Sequence, residues 1–217
     1  MVSLLTISFG FALIIFVALP YGLTLLTGVR EETQPIMFNI IDAVVKILIF
    51  LIYLLAISQL KDIQRLFQYH GAEHKAVHCY EHKKALLPRH VKPYSPIHPR
   101  CGTSFLLWVI LMSIVVFALL PAVVLWLWPS FPTLGFWTRR GILFPLRILL
   151  IPVIAGLAYE VLKLSGKHQD NWLMHNLAKP GLWFQKITTA EPDKKQIEVA
   201  IASLKLLLQK EGHSSSS

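Results

Sequence analysis

Charge is scarce in this chain. Only 15% of its 217 residues are charged while 54% are hydrophobic, whereas an ordinary soluble domain carries roughly 25% charged residues. Acidic residues are scarcer still, 12 against 21 lysines and arginines, so the formal net charge is +9. With a mean hydropathy of +0.56, the polar shortfall excludes a soluble globular domain and points to an integral membrane protein. Only two cysteines occur, Cys79 and Cys101, too few for a disulfide framework. No recognisable nucleic-acid motif accompanies the positive charge, so no nucleic-acid partner is expected. Internal repeats are also lacking.

What is present is long apolar runs. Four stand out, at Ser3–Leu26, Ile40–Leu60, Ser104–Trp128 and Ile142–Leu162. Each is long enough to cross about 30 Å of hydrocarbon at about 1.5 Å per helical residue. The first has no basic segment ahead of it and no clean small-residue cleavage site, so it is read as a span and not as a signal peptide. Lysine and arginine then set the expected orientation. They crowd into residues 61–102 and into the tail after residue 162, while the other two loops hold only Arg30 and the Arg139–Arg140 pair. By the positive-inside rule the 61–102 loop and the C-terminus are cytoplasmic. The net charge then follows from topology and attraction to anionic lipid. The expected fold class is an all-α integral membrane protein with about four transmembrane helices and a small cytoplasmic helical cap. Its parts are residues 1–60 (helices one and two), 61–102 (a histidine-rich helix and proline-rich loop), 103–162 (helices three and four) and 163–217 (an interfacial segment and an amphipathic helix).

Within the cap, residues 61–84 read as a helix leaving the second span, weakened locally at Gly71, where a kink or a close contact is expected. The four prolines of "LLPRHVKPYSPIHPRCG" demand turns. "NWLMHNLAKPGLWFQK" mixes tryptophan with lysine as an interfacial segment does. "TTAEPDKKQIEVAIASLKLLLQKEG" reads as an amphipathic helix with Pro192 in its first turn and Gly212 past its stop, and its Ile197, Ile201, Leu204 and Leu208 form one apolar face, expected to dock on the protein or on lipid. The terminal "GHSSSS" reads as a loose polar tail.

The chemistry concentrates in "QYHGAEHKAVHCYEH", residues 68–82, which holds four of the nine histidines. His70, Glu73 and His74 form an H-x-x-E-H pattern. On a helix, residues four apart share a face, so both imidazoles can reach one metal ion with Glu73 near enough to activate water. The competing reading is a set of solvated or phosphate-facing histidines, and it is preferred for His82 and His90. Topology offers further ligands: Glu81 on the same helix, His98 and Cys101 just before the third span, and Glu160 near the end of the fourth, where an ionisable residue is costly. Glu160 could equally pair with Lys163. Asp42 and Lys46, four apart in the second span, are expected to neutralise one another, and Arg147 to snorkel. Nitrogen, sulfur and carboxylate ligands together favour zinc. Whether such a site would be catalytic or structural is open at this point.

"RLFQYHGAEHKAVHCYE", "HPRCGTSFLL", "RILLIPVIAGLAYEVLK" and "PGLWFQKITTAEPDKKQIEVAIASL", spread over residues 61–211, together resemble the YqhQ-like family of bacterial inner-membrane proteins. That family is a domain of unknown function often labelled a predicted metal-dependent enzyme. The resemblance implies a bacterial cytoplasmic-membrane protein, with motif positions at His70, Gly71, Glu73, His74, Glu81, His98, Arg100, Cys101, Gly102, Glu160, Gln185 and Thr188–Thr189. It does not include His78 or His82. The family usually opens with a glycine-rich segment ahead of its first span, whereas this chain begins in the span, so a shortened start or a partner chain supplying that part is expected. The resulting expectation is a zinc-dependent hydrolase at the cytoplasmic membrane face, with a peptide bond as candidate substrate. Glu73 would be its general base, and His70, His74, Glu81, His98, Cys101 and Glu160 its candidate metal ligands. The alternative is a non-enzymatic factor in membrane-protein biogenesis or complex assembly, held together by a structural metal or a hydrogen-bonded His/Cys/Glu knot.

Overall fold

A computed structural model describes residues 2–30, 33–168 and 170–212. The polar tail 213–217 lies outside them. The described residues are mostly helical, with no strand among them. In chain order the helices are α1 (Val2–Leu13), α2 (Leu19–Leu26), α3 (Pro35–Ile57), α4 (Lys61–Glu81), α5 (Pro88–Val91), α6 (Gly102–Leu127), α7 (Phe136–Lys167), α8 (Trp172–Thr188) and α9 (Lys194–Lys210). A π-helical turn, Ile14–Ala18, joins α1 to α2, and a 3-10 turn, Phe131–Thr133, precedes α7. Among the described residues, four stretches are long and apolar enough to span a membrane: Ser3–Leu26, Ile36–Ile57, Gly102–Leu127 and Trp137–Lys167. The chain is an all-α membrane protein. The π turn has a local cause. Pro20 has no N–H to give and its ring crowds the carbonyl four residues back, so the preceding turn widens and Leu19 N–H bonds to Ile14 O.

The chain divides into two compact units, residues 1–54 with 109–158 and residues 55–108 with 159–217. The first consists largely of the apolar helices. Its outward side chains are large and hydrophobic, among them Leu4, Phe9, Ile52, Phe144 and Leu149, as lipid-facing helices require. Among its charges, Asp42 pairs with Lys46, and Arg140 meets the Tyr21 hydroxyl through its guanidinium at 3.5 Å. Arg147 stacks over the Phe117 ring at 5.7 Å.

The second unit carries the polar chemistry. Its core is the face of α4 formed by Ala72, Ala76 and Cys79, packed on Ile197, Ile201 and Leu208 of α9 and closed by Leu86 and Val91. Small residues on α4 let the helices approach closely, and each buried isoleucine contributes about 1.5–3 kcal/mol. A capping box starts α9: Asp193 Oδ1 accepts from Gln196 N–H at 2.8 Å while Asp193 N–H donates back to Gln196 Oε1 at 2.7 Å. The stop of α4 is a Schellman turn, in which Lys84 N–H reaches Cys79 O and Lys83 N–H reaches Tyr80 O. It places Lys83 at φ 54°, where glycine is usual. The region read as an interfacial segment is the continuous helix α8, begun by Asn171, whose Oδ1 accepts from Leu173 and Met174 N–H.

Of the two roles expected for Gly71, the structure shows the close contact and not the kink: it lies inside the unbroken α4. A Cβ there would stand 2.2 Å from Ala190 O. Ala190 N–H in turn donates to Phe67 O at 3.0 Å, so the strand-like stretch between α8 and α9 runs directly on the α4 backbone. Lys75, buried one turn on, donates to Lys92 O at 2.9 Å and pairs with Glu191. Gly71→Ala should therefore cost stability by about 1–3 kcal/mol or more, since backbone and not a flexible side chain must yield. Gly156→Ala, with nothing within 4 Å of its Cβ, should be near neutral. Thermal unfolding of the two variants in detergent checks this, and equal midpoints would contradict it.

Candidate functional site

Two neighbouring groups of potential ligands occupy the second unit: His70, His74 and Cys101, and His78, Glu81 and His98. Within each group the ligand atoms lie within 4.8 Å of one another. The rings run in sequence, with centroids 4.4 Å apart for His70–His74, 5.8 Å for His74–His98 and 4.6 Å for His78–His98.

The first group is set up by backbone carbonyls. His70 Nδ1 lies 2.8 Å from Thr188 O, and His74 Nδ1 lies 2.6 Å from Pro96 O. A carbonyl can only accept, so each Nδ1 carries a hydrogen and each Nε2 is left for another partner. His70 Nε2 then meets Cys101 Sγ at 3.1 Å. The thiol sits at the start of α6, where the Thr103 hydroxyl approaches Sγ at 3.1 Å and Thr103 N–H donates to it at 3.4 Å. Burial pushes the Cys101 thiol up, but hydrogen bonds from His70, His74 and Thr103 outweigh it and bring its pKa down to about 5. A helix N-terminus favours the same thiolate. His70 moves the opposite way, as an ion-pair partner should. Its bond to Cys101 raises its pKa, burial opposes, and the Thr188 carbonyl and the charge of Glu73 add to the rise. His74 and Cys101 are each only 5% exposed.

The second group is built differently. Arg100 N–H donates to His98 Nδ1 at 3.2 Å, so that nitrogen is the acceptor and Nε2–H faces Glu81 Oε2 at 3.1 Å. Burial lowers the His98 pKa, against the opposing pull of Glu81. Both ring nitrogens of His98 are thus in use. His78 Nε2–H is bound to Ile97 O at 2.9 Å, and Arg100 also reaches Glu81, at 3.4 Å. This is a hydrogen-bonded pair with a cation beside it, not a cage with free lone pairs. Its frame is Gln185, which is fully buried. Its Oε1 accepts from His98 N–H at 2.8 Å, and its Nε2 donates to His98 O and to Ser104 Oγ, both at 2.7 Å. Gly181 leaves room for Ser104 one turn away.

The structure thus brings together His70, His74 and Cys101. It puts Glu81 and His98 in the adjacent group, along with His78, which the family resemblance does not include. Glu160 is in neither group: it is 54% exposed and meets Lys163 at 3.4 Å. Glu73 is exposed beside His74 and also belongs to neither. Sequence reasoning missed the carbonyls of Thr188, Pro96 and Ile97 and the role of Thr103. Backbone acceptors have no residue signature, though a threonine two residues past a cysteine at a helix start was a usable hint.

Chemically, once a metal displaces the proton shared by His70 Nε2 and Cys101 Sγ, the first trio offers one thiolate and two imidazole lone pairs, a borderline-soft set that suits zinc. The donated Nδ1–H bonds are the outer partners that metal-bound histidines usually have. In chelator-treated protein, Cys101 should be alkylated by a small haloacetamide with a rate midpoint near pH 5, and His70→Ala should move that midpoint up toward the ordinary thiol value. Cys79, whose pKa burial raises, should stay unreactive at neutral pH. Peptide mass spectrometry across pH reads both thiols, and a Cys101 midpoint above 8 would contradict the geometry.

The profile of the family described as "Protein of unknown function (DUF1385)" matches residues 1–210. The chain is 37% identical over 211 residues to "Uncharacterized protein YqhQ" of Bacillus subtilis (strain 168), an alignment that covers 94% of this chain and 59% of that protein. The chain therefore spans about three fifths of the length of this relative. No solved structure matches. The match over nearly the whole chain and the level of identity show that the chain belongs to the DUF1385 family, the YqhQ-like proteins of unknown function.

Proposed function

We propose that the protein is a zinc-dependent hydrolase of the bacterial cytoplasmic membrane, acting at the cytoplasmic face on an amide bond such as a peptide. The observation that carries this reading is the convergence of one nitrogen each of His70 and His74 with Cys101 Sγ, the two rings held by carbonyls through Nδ1 and the sulfur by Thr103. Three protein ligands with one coordination position left for water is the composition of catalytic zinc sites, whereas structural sites close with four. Bound there, zinc would supply Lewis acidity and bring water toward a pKa of about 7. His70, His74 and Cys101 would hold it, and the carbonyls of Thr188 and Pro96 would fix the two rings. Glu73, exposed next to His74, would accept the proton of the attacking water. The His98–Glu81–Arg100 group would brace the turn that carries Cys101. The lysine- and arginine-rich 61–102 loop and tail support the cytoplasmic placement.

A second reading has its own support. His74 and Cys101 are buried, and the trio ties α4 to the start of α6 and the end of α8. The same residues would then form a structural knot in a non-enzymatic assembly factor of a membrane-protein complex.

Elemental analysis of detergent-purified protein separates these. The hydrolase reading expects stoichiometric zinc in the parent and in Glu73→Gln, and affinity weakened at least about 100-fold in His74→Ala and Cys101→Ser. It also expects zinc-dependent cleavage of a fluorogenic peptide library that is lost in Glu73→Gln. Zinc retained alongside a Glu73→Gln variant that still complements a deletion strain favours the knot. Absence of bound metal in the parent, after growth in zinc, contradicts the hydrolase and any zinc-held knot, and leaves only a hydrogen-bonded knot.

A further inference from the structure

We propose that the groove between residues 95–99 and α8 is a binding site for the phosphate headgroup of an anionic membrane lipid. The groove encloses about 890 Å³, within the range of small-ligand sites. On α8 it presents Lys179, Trp183 and Lys186, which at spacings of four and three share one helical face. Lys179 Nζ donates to the side-chain oxygen of Asn176 at 2.8 Å, a neutral partner. No carboxylate is among the described residues that line the groove, so its positive charge is uncompensated from within. The opposite wall sets apolar Ile97 and Pro99 beside Ser95 and His78, and its apolar part suits a glycerol backbone and the start of an acyl chain.

Two features select a lipid as the occupant. Both walls run directly into membrane-spanning helices. Pro99 precedes the Gly102–Leu127 span by three residues, and α8 begins at Trp172, five residues beyond the end of the Trp137–Lys167 span. Trp183 is 74% exposed, and a bare indole between two lysines is the arrangement found where protein meets the headgroup layer. Anionic headgroup, cationic helix face and aromatic spacer are complementary in charge and polarity. The site uses none of the three proposed metal ligands and is independent of the hydrolase reading.

The test uses full-length protein in detergent with native mass spectrometry, comparing phosphatidylglycerol with phosphatidylcholine of the same chains. Retention of phosphatidylglycerol should exceed that of phosphatidylcholine. It should fall about fivefold for Lys179→Gln or Lys186→Gln and about thirtyfold for the double variant, from the usual contribution of a lysine at an anionic surface. Millimolar inorganic phosphate should not compete, and zinc content should not change. Equal retention of the two lipids, a double variant that retains phosphatidylglycerol like the parent, or displacement by phosphate would each overturn the proposal. In the last case the groove takes a free phosphate.

Discussion

The chain segment between α8 and α9 crosses α4 at the one position on that face where the helix has no side chain. Gly71 lets the Ala190 carbonyl approach to contact, and the Ala190 amide is held by Phe67 O. That crossing sets what stands on either side of it. Upstream, the Thr188 carbonyl falls on His70 Nδ1. Downstream, Glu191 falls on buried Lys75, and the Asp193 capping box starts α9 against the alanine face of α4. A side chain at position 71 would lift the segment away and uncouple both ends.

The second constraint is that buried polar groups must find partners. The turn before α6 is rich in proline, so several of its carbonyls have no helical N–H to accept from. Two of them, Pro96 O and Ile97 O, are taken up by His74 and His78. Gln185 satisfies both the N–H and the carbonyl of His98. The consequence is a difference between neighbouring histidines that look alike in sequence. His70 and His74 spend Nδ1 on carbonyls and keep Nε2 for the thiolate, while His98 spends both nitrogens on Arg100 N–H and Glu81.

Much of the fold was legible because its signals are long. Apolar runs over twenty residues survive errors at their ends, and the second span starts several residues ahead of Ile40 without changing the reading. The site was legible only in part. His70 and His74 could be paired because a helix puts residues four apart on one face. Cys101 could be added because topology returns the chain to the same place. Glu160 did not join them: an i,i+3 neighbour, Lys163, offers a nearer partner than the cluster does. Glu81 and His98 meet each other, since each is the other's best hydrogen-bond partner. The carbonyls that decide which nitrogen is free carry no residue code, and neither does the crossing at Gly71. Glycine announces that something comes close, not what.

The central claim is that His70, His74 and Cys101 are one ligand set. X-ray absorption at the zinc edge of the zinc-loaded, full-length protein tests it most directly. The account predicts a shell of one sulfur and two imidazole nitrogens completed by a light atom, with the sulfur scattering lost in Cys101→Ser. A shell of nitrogen and oxygen alone, or a sulfur signal that survives Cys101→Ser, would contradict it.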